Sequence, residues 1–339
     1  DESRLARVLY WRGRIHYVLW DPQIAMKYAR QSLEIADRLG DESLAAPPVN
    51  LIGRVHFQLS DFTEAGQFLE GSVEKMRRIG NKVEESTASA VASYILAFLG
   101  EFDRAFVHAD HAIQLAQKIQ NPFAQANAYH LRGCIGDQRG EWTQAIKDYE
   151  KGIHIAEKAE DLFRLYLVKC WKGRALAMIG DPGQGRKLLE ESLALAEKIG
   201  TKFWLAWQKT ALAACLFKLG ELEKGSKLCQ EAIHLGEETN DKFVIAYANR
   251  TFAEIFSCLE PSNPQKVDKA ILKAIQIQQE IDVKPEIARS YISYALFLTE
   301  IGEKEKARTY LDKAIVMFQH MGMNWDLSQA DQLHRNLGN

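Results

Sequence analysis

The chain repeats itself every 40 residues, and no other feature of the sequence constrains its fold so tightly. A glycine followed by an acid recurs as Gly100-Glu101, Gly140-Glu141, Gly180-Asp181 and Gly220-Glu221. Counting back reaches Trp20-Asp21 and Ser60-Asp61. Counting on reaches Glu260 and then, after two inserted residues, Gly302-Glu303. Eight copies fill the 339 residues.

Three more positions per copy hold the same register. Seven residues before the turn stand Gly13, Gly53, Ser93, Gly133, Gly173, Ala213, Ala253 and Ala295. After it come a set that includes Ala25, Ala65 and Gly185, and a third that includes Ser32, Ser72 and Gly152. Of these 24 positions only Val267 is not Gly, Ala or Ser. Small residues at fixed places let helix backbones approach closely, and large apolar residues such as Leu188, Leu189, Leu193 and Leu195 fill the gaps on one helical face. An acid opens the second helix of every copy, where it caps free N–H groups or meets the positive end of the helix dipole. Arg38, Arg78, Lys118, Lys158 and Lys198 recur in the last turn, where the dipole favours a cation. No segment sustains a period of two. The expectation is an all-α chain with turns near residues 20, 60, 100, 140, 180, 220, 260 and 302, and a final helix over residues 324–337.

This pattern resembles the tetratricopeptide repeat family, whose small-residue signature falls at the same three offsets from the turn. The resemblance covers residues 4–323. It implies a right-handed superhelical solenoid of helix-turn-helix repeats at about 4–41, 42–81, 82–121, 122–161, 162–201, 202–241, 242–283 and 284–323, with residues 324–339 as a C-terminal capping helix. The period is 40 rather than the family's usual ~34, and the family's early Trp and closing Pro are not kept. The longer repeat is similar to the Leu-Gly-Asn and kinesin-light-chain types and to the arrays that trail ATPase cores in bacterial signalling proteins. Two departures from regularity are expected. Pro47-Pro48 should make the first helix of copy two start at or just before Pro47, and the insertion after Glu260 should bulge outward.

Composition bounds the partners. Lys and Arg number 43 against 45 Asp and Glu, a net charge of −2, so no global field draws the chain to nucleic acid or anionic lipid. The longest uncharged stretch, Ser86 to Gly100, is shorter than the ~20 apolar residues a membrane helix needs. Five scattered cysteines without a C-x-x-C fit a reducing, cytoplasmic location. No leader is apparent, and a chain opening on Asp reads as a piece of a longer polypeptide.

Motifs with chemical look-alikes fall on the repeat. Gly180-Asp-Pro-Gly183-Gln-Gly185-Arg-Lys imitates a phosphate loop, but its Lys is followed by Leu and no strand precedes it. His108 and His111 could place two imidazoles on one face, yet a lone surface pair is usually solvated. No nucleophilic arrangement can be placed. The chain reads as a non-enzyme that needs neither cofactor nor metal.

In tetratricopeptide arrays the first helices line a concave face, and five positions of each are directed toward the ligand. Carried onto this chain, that stripe holds 40 residues, of which eight are aromatic where the average composition gives about four. Aromatic and Arg enrichment marks binding surfaces. Arg7, Tyr10, Arg14, Tyr17, Arg54 and Phe57 are expected to converge on one positive, aromatic patch in the first two copies, with Tyr94 in the third. Arg174, Trp207, Tyr247 and Arg250 form a second group placed to hold the ligand's other end. The expected role is a protein- or peptide-binding scaffold, the sensor or regulatory arm of a larger signalling protein. Its ligand would be an acidic, partly apolar segment of a partner or of another domain of the same polypeptide. Small-molecule sensing by a signalling or transcription-regulating ATPase is the alternative. A peptide should touch many copies, a metabolite two or three. The plainer reading of the arginines, pairing with acids on neighbouring helices, stands beside these.

Overall fold

The computed structural model describes residues 1–338 and is all-helical among them, with 17 helices in helix-turn-helix pairs. Odd-numbered helices from α1 (Glu2–Val18) to α15 (Lys284–Glu300) are the first of each pair, and even-numbered ones from α2 (Pro22–Leu39) to α16 (Lys304–Met321) the second. A last helix, α17 (Asn324–Gly338), packs on α16 and buries Ala330 and Leu337. Asn339, the end of the expected cap, lies outside the described residues. No helix among the described residues is long and apolar enough to cross a membrane.

The small-residue lattice acts where helices of a pair cross. A Cβ added to Gly173 of α9 (Leu162–Met178) would lie 2.8 Å from the Gly185 carbonyl oxygen, and one on Gly185 of α10 (Pro182–Ile199) would lie 2.6 Å from that of Gly173. Backbones this close admit only glycine. The phosphate-loop look-alike is therefore a packing device. The histidines are accounted for in the same way. His108 lies 3.4 Å from Glu70 and His111 lies 2.9 Å from Glu85, while His16 and His56 repeat one contact, to Asp21 at 3.2 Å and Asp61 at 3.0 Å.

Every turn except that of copy seven, at residues 260–263, carries a residue in the left-handed region. Within pairs these are Trp20, Ser60, Gly100, Gly140, Gly180, Gly220 and Gly302. Between pairs they are Gly40, Gly80, Gln120, Glu160, Gly200, Asn240, Asp282 and Gly322. Beyond the between-pair turn an Asp or Asn side chain caps the next first helix in most copies. Asp41 accepts from the Leu44 amide at 3.0 Å, Asn121 from Ala124 at 3.0 Å and Asp161 from Arg164 at 2.8 Å.

Two expectations are corrected. The third helix, α3, runs unbroken from Glu42 to Gln58 with Pro47 and Pro48 inside it. Two ladder bonds are lost there, near the N-terminus, and burial of Leu44, Ala45, Ala46, Val49 and Leu51 against neighbouring helices offsets the loss. In copy seven the second helix, α14 (Pro264–Glu280), opens on Asn263 rather than on the acid Glu260.

The superhelix closes on itself. The turn of one copy meets the start of the first helix five copies on: Trp20 meets Phe203 with ring centroids 5.0 Å apart, and the Ser60 hydroxyl accepts from the Phe243 amide at 3.1 Å. Gly140 lies where a Cβ would sit 3.1 Å from Asp326 and 3.2 Å from Trp325. The residue at these turns thus serves the backbone and also the contact between successive superhelical turns.

Candidate functional site

The closed superhelix leaves a chamber of about 290 Å³ at its N-terminal end, lined from α1, α3, α5 (Lys82–Phe98), α7 (Pro122–Arg139), α9 and the residues just before α11 (Leu205–Lys218). Of the first predicted group, Arg14, Tyr17, Arg54 and Phe57 line it together with Tyr94. Arg7 and Tyr10 do not. They border a separate shallow hollow with Trp11 and Pro47, and Tyr10 reaches the chamber only through its hydroxyl, which accepts from Arg14 Nη1 at 3.3 Å.

The second predicted group lies inside the protein. Arg174 is buried and pairs with Asp137 at 2.5 Å, while its Nε donates to the Tyr247 hydroxyl at 3.2 Å. Arg250 is buried and pairs with Glu286 at 2.7 Å. Arg289 carries the network on, to Glu286 at 3.1 Å, to Asp326 at 2.9 Å and to the Gln138 carbonyl at 2.8 Å. Trp207 stacks on Trp171 with centroids 4.0 Å apart. These residues fill the axis and join copies four to eight to α17. Burial pushes the Glu286 carboxyl upward, but the guanidiniums of Arg250, Arg289 and Arg174 outweigh it and hold the pKa at about 2.

The chamber wall has features that the repeat reading missed. In copy six Thr201 stands where other copies place an Asp or Asn cap. Its Oγ1 accepts from Phe203 at 3.2 Å, and α11 starts only at Leu205. The unwound residues swing Phe203 and Trp204 into the chamber, with Trp204 at φ +61°. A bulky residue in that region is strained, and packing holds it: Trp204 stacks on Phe57 at 5.6 Å and lies near Tyr94 and Trp171. Thr201 in the cap position was the available signal.

Arg164 is the other missed residue; Asn127 and His130, which belong to the 40-residue stripe but to neither of the two groups, line the chamber beside it. Arg164 Nη1 lies 3.1 Å from His130 Nδ1. Burial holds His130 well below its ordinary pKa, with Arg164 adding to the effect, so the imidazole is neutral. Burial also lowers the Arg164 pKa; Asp161 opposes this and Arg54 reinforces it. Arg164 Nε, His130 Nε2, Asn127 Nδ2 and the Tyr94 hydroxyl are buried without a hydrogen-bond partner among the described residues. Within that same set, Arg14, Arg54 and Arg164 form no salt bridge, whereas Arg174, Arg250 and Arg289 all do. Arg54 Nε donates instead to Asn50 at 2.6 Å. Among the described residues, Glu84 is the one carboxylate lining the chamber. No group of three or more His, Cys, Asp or Glu among the described residues could hold a metal.

A closed, all-helical superhelix of paired helices with this lattice defines a tetratricopeptide-repeat solenoid. Residues 288–316 match the tetratricopeptide repeat family model. Among solved structures, the chain is similar to a Rap protein complexed with competence and sporulation factor, with TM-score 0.64 and 13% identity over 99% of each chain. It is similar to NprR in complex with its cognate peptide NprX, with TM-score 0.64 and 15% identity over 83% of this chain and 84% of that one. It is also similar to a signal transduction ATPase with numerous domains and a tetratricopeptide repeat sensor, from Pyrococcus horikoshii. There the TM-score is 0.55 and the identity 17%, over 99% of this chain and 50% of that one. At these identities the likeness is one of fold. No curated protein sequence matches the chain.

Proposed function

We propose that this chain is a non-catalytic, peptide-binding regulatory scaffold, the sensor arm of a signalling protein, and that its N-terminal chamber takes an acidic group and an adjoining apolar side chain of the ligand. The observation that carries this reading is the contrast among the arginines. Those of the axis are matched by carboxylates of the chain, while Arg14, Arg54 and Arg164 face the chamber unmatched among the described residues. A guanidinium fork suits a carboxylate bidentately, and the aromatic wall of Tyr17, Phe57, Tyr94, Trp171 and Trp204 suits an apolar neighbour. Contributions from six successive copies favour an extended ligand over one held by two or three. Complexes of the same fold with peptides, NprR with NprX and a Rap conjugation regulator with a Phr* peptide, support the reading. The nearby thiols Cys134 and Cys170 are buried with raised pKa values, so they stay protonated and unreactive.

The chamber volume favours a second reading. About 290 Å³ lies at the lower end of small-molecule sites, which run from roughly 300 to 1,000 Å³. A compact aromatic carboxylate would also fit. Calorimetric titration with acetylated Glu-Leu-Phe, its C-terminal amide, and phenylacetate separates the two. Binding of the peptides with Arg54-dependent affinity supports the scaffold, phenylacetate binding alone supports the metabolite sensor, and binding unaffected by Arg54→Ala sinks both.

A further inference from the structure

We propose that the outward face of α1 is the seat of one more amphipathic helix, supplied by the same polypeptide immediately ahead of Asp1 and packed as α2 packs on α3. Leu5, Val8, Trp11, Ile15 and Leu19 form one apolar stripe at spacings of three and four, and each is more than half exposed, between 51% and 68%. A patch of this extent on a folded surface marks an interface.

The repeat identifies what covers it. The positions one repeat on from Ile15 and from one another, allowing for the two-residue insertion, are Val55, Ile95, Ile135 and so on to Ile255 and Phe297, and all seven are at most 5% exposed. The positions equivalent to Val8 are buried in every other copy as well. In each case the cover is the second helix of the preceding pair. Gly66 of α4 (Phe62–Arg78) faces Ile95, with an added Cβ 3.7 Å away; Gly225 of α12 (Leu222–Thr239) faces Ile255 at 3.0 Å. Each covering helix ends a few residues ahead of the one it covers, as α4 ends at Arg78 and α5 begins at Lys82. Asp1 itself accepts from the Ser3 amide at 3.1 Å, the same capping role that Asp41, Asn81 and Asn121 play just after a second helix. The register therefore places a helix of about 18 residues, the length of α2, directly before Asp1, with a small residue opposite Ile15.

Charge argues against a second copy of α1 as the occupant. The helix carries Arg4, Arg7, Arg12 and Arg14 against Glu2 alone, so a symmetric pairing would set like charge against like.

The test compares the 339-residue chain with the polypeptide extended by the 40 codons that precede Asp1 in its gene, using hydroxyl-radical footprinting read by mass spectrometry. Trp11 oxidation is expected to fall roughly fivefold on extension, in line with a move from exposed to buried. Ile15→Glu in the extended chain should restore it, while leaving the melting midpoint of the 339-residue chain unchanged. Unchanged Trp11 oxidation on extension overturns the proposal, as does a reading frame too short to supply the helix. Protection that appears in the unextended chain only at high concentration, with a doubled sedimentation mass, assigns the face to a second copy and overturns it too.

Discussion

The Phe243 amide donates to the Ser60 hydroxyl at 3.1 Å across 183 residues of chain. That bond joins the turn of copy two to the first helix of copy seven. Around it, Phe62 and Phe98 pack on Phe243 with centroids 6.0 and 4.9 Å apart. Contacts of this kind turn an open solenoid into a closed one, so the inner face is divided into a filled axis and a remaining chamber. The following expectations rest on that division.

Arg14→Ala and Arg54→Ala should each weaken ligand binding by about 2 kcal/mol, as truncation of an interface hot spot does, with a normal melting temperature. Both side chains are half-buried at the chamber and carry no salt bridge among the described residues. Calorimetry beside thermal melting checks this. Lost stability with unchanged affinity would instead show that they serve the fold.

Arg164→Met should stabilise the unliganded protein by about 1 kcal/mol while abolishing anion binding, because it removes a partly desolvated cation that forms no salt bridge among the described residues. A lower melting temperature for this variant would contradict the chamber's assignment as a ligand site.

Arg174→Ala should behave oppositely. Truncating one partner of a buried pair leaves Asp137 without its cation and costs about 3–5 kcal/mol. Urea titration of the variant, with circular dichroism as the readout, gives the value directly. A loss below 1 kcal/mol would return Arg174 to the list of ligand contacts.

Glu286 should govern acid stability. Its folded pKa of about 2 lies below the ordinary 4.5, so the unfolded chain binds the proton more readily. Its contribution is complete above about pH 4.5 and is lost as pH falls through 2, amounting to about 3 kcal/mol at neutral pH. Glu286→Gln should lower stability at pH 7 and flatten the dependence between pH 5 and 2. An unchanged slope in denaturant melts over that range would remove Glu286 from the account.

Gly173→Ala should cost about 1–3 kcal/mol, because the new methyl meets a carbonyl oxygen of the partner helix rather than a side chain that could give way. A melting curve that overlays the wild type would show that α9 and α10 can separate at no cost.

Much of the fold could be read from residue spacing because its determinants are local or repeat. The crossing of α9 and α10 needs Gly173 and Gly185 whatever surrounds the pair, and Gly100 or Gly140 ends a helix by its own backbone freedom. Pro47 was misread because interior proline penalties are set by a lone helix, and α3 is held by its neighbours. Arg14 and Arg174 occupy equivalent positions, 160 residues apart, and no local rule separates them. Asp137 stands 37 residues before Arg174 and provides its partner, whereas the same step back from Arg54, the equivalent position in copy two, reaches the uncharged Tyr17. The sequence by itself determined the repeat, the helices, their caps and their crossings, since these act within one or two copies. Only the tertiary structure decided which inward arginines are matched, that Thr201 releases Trp204 into the chamber, and that Arg164 and His130 face the same space. Those outcomes depend on how far the superhelix turns per copy, an angle summed over five copies that brings residues 183 positions apart into contact.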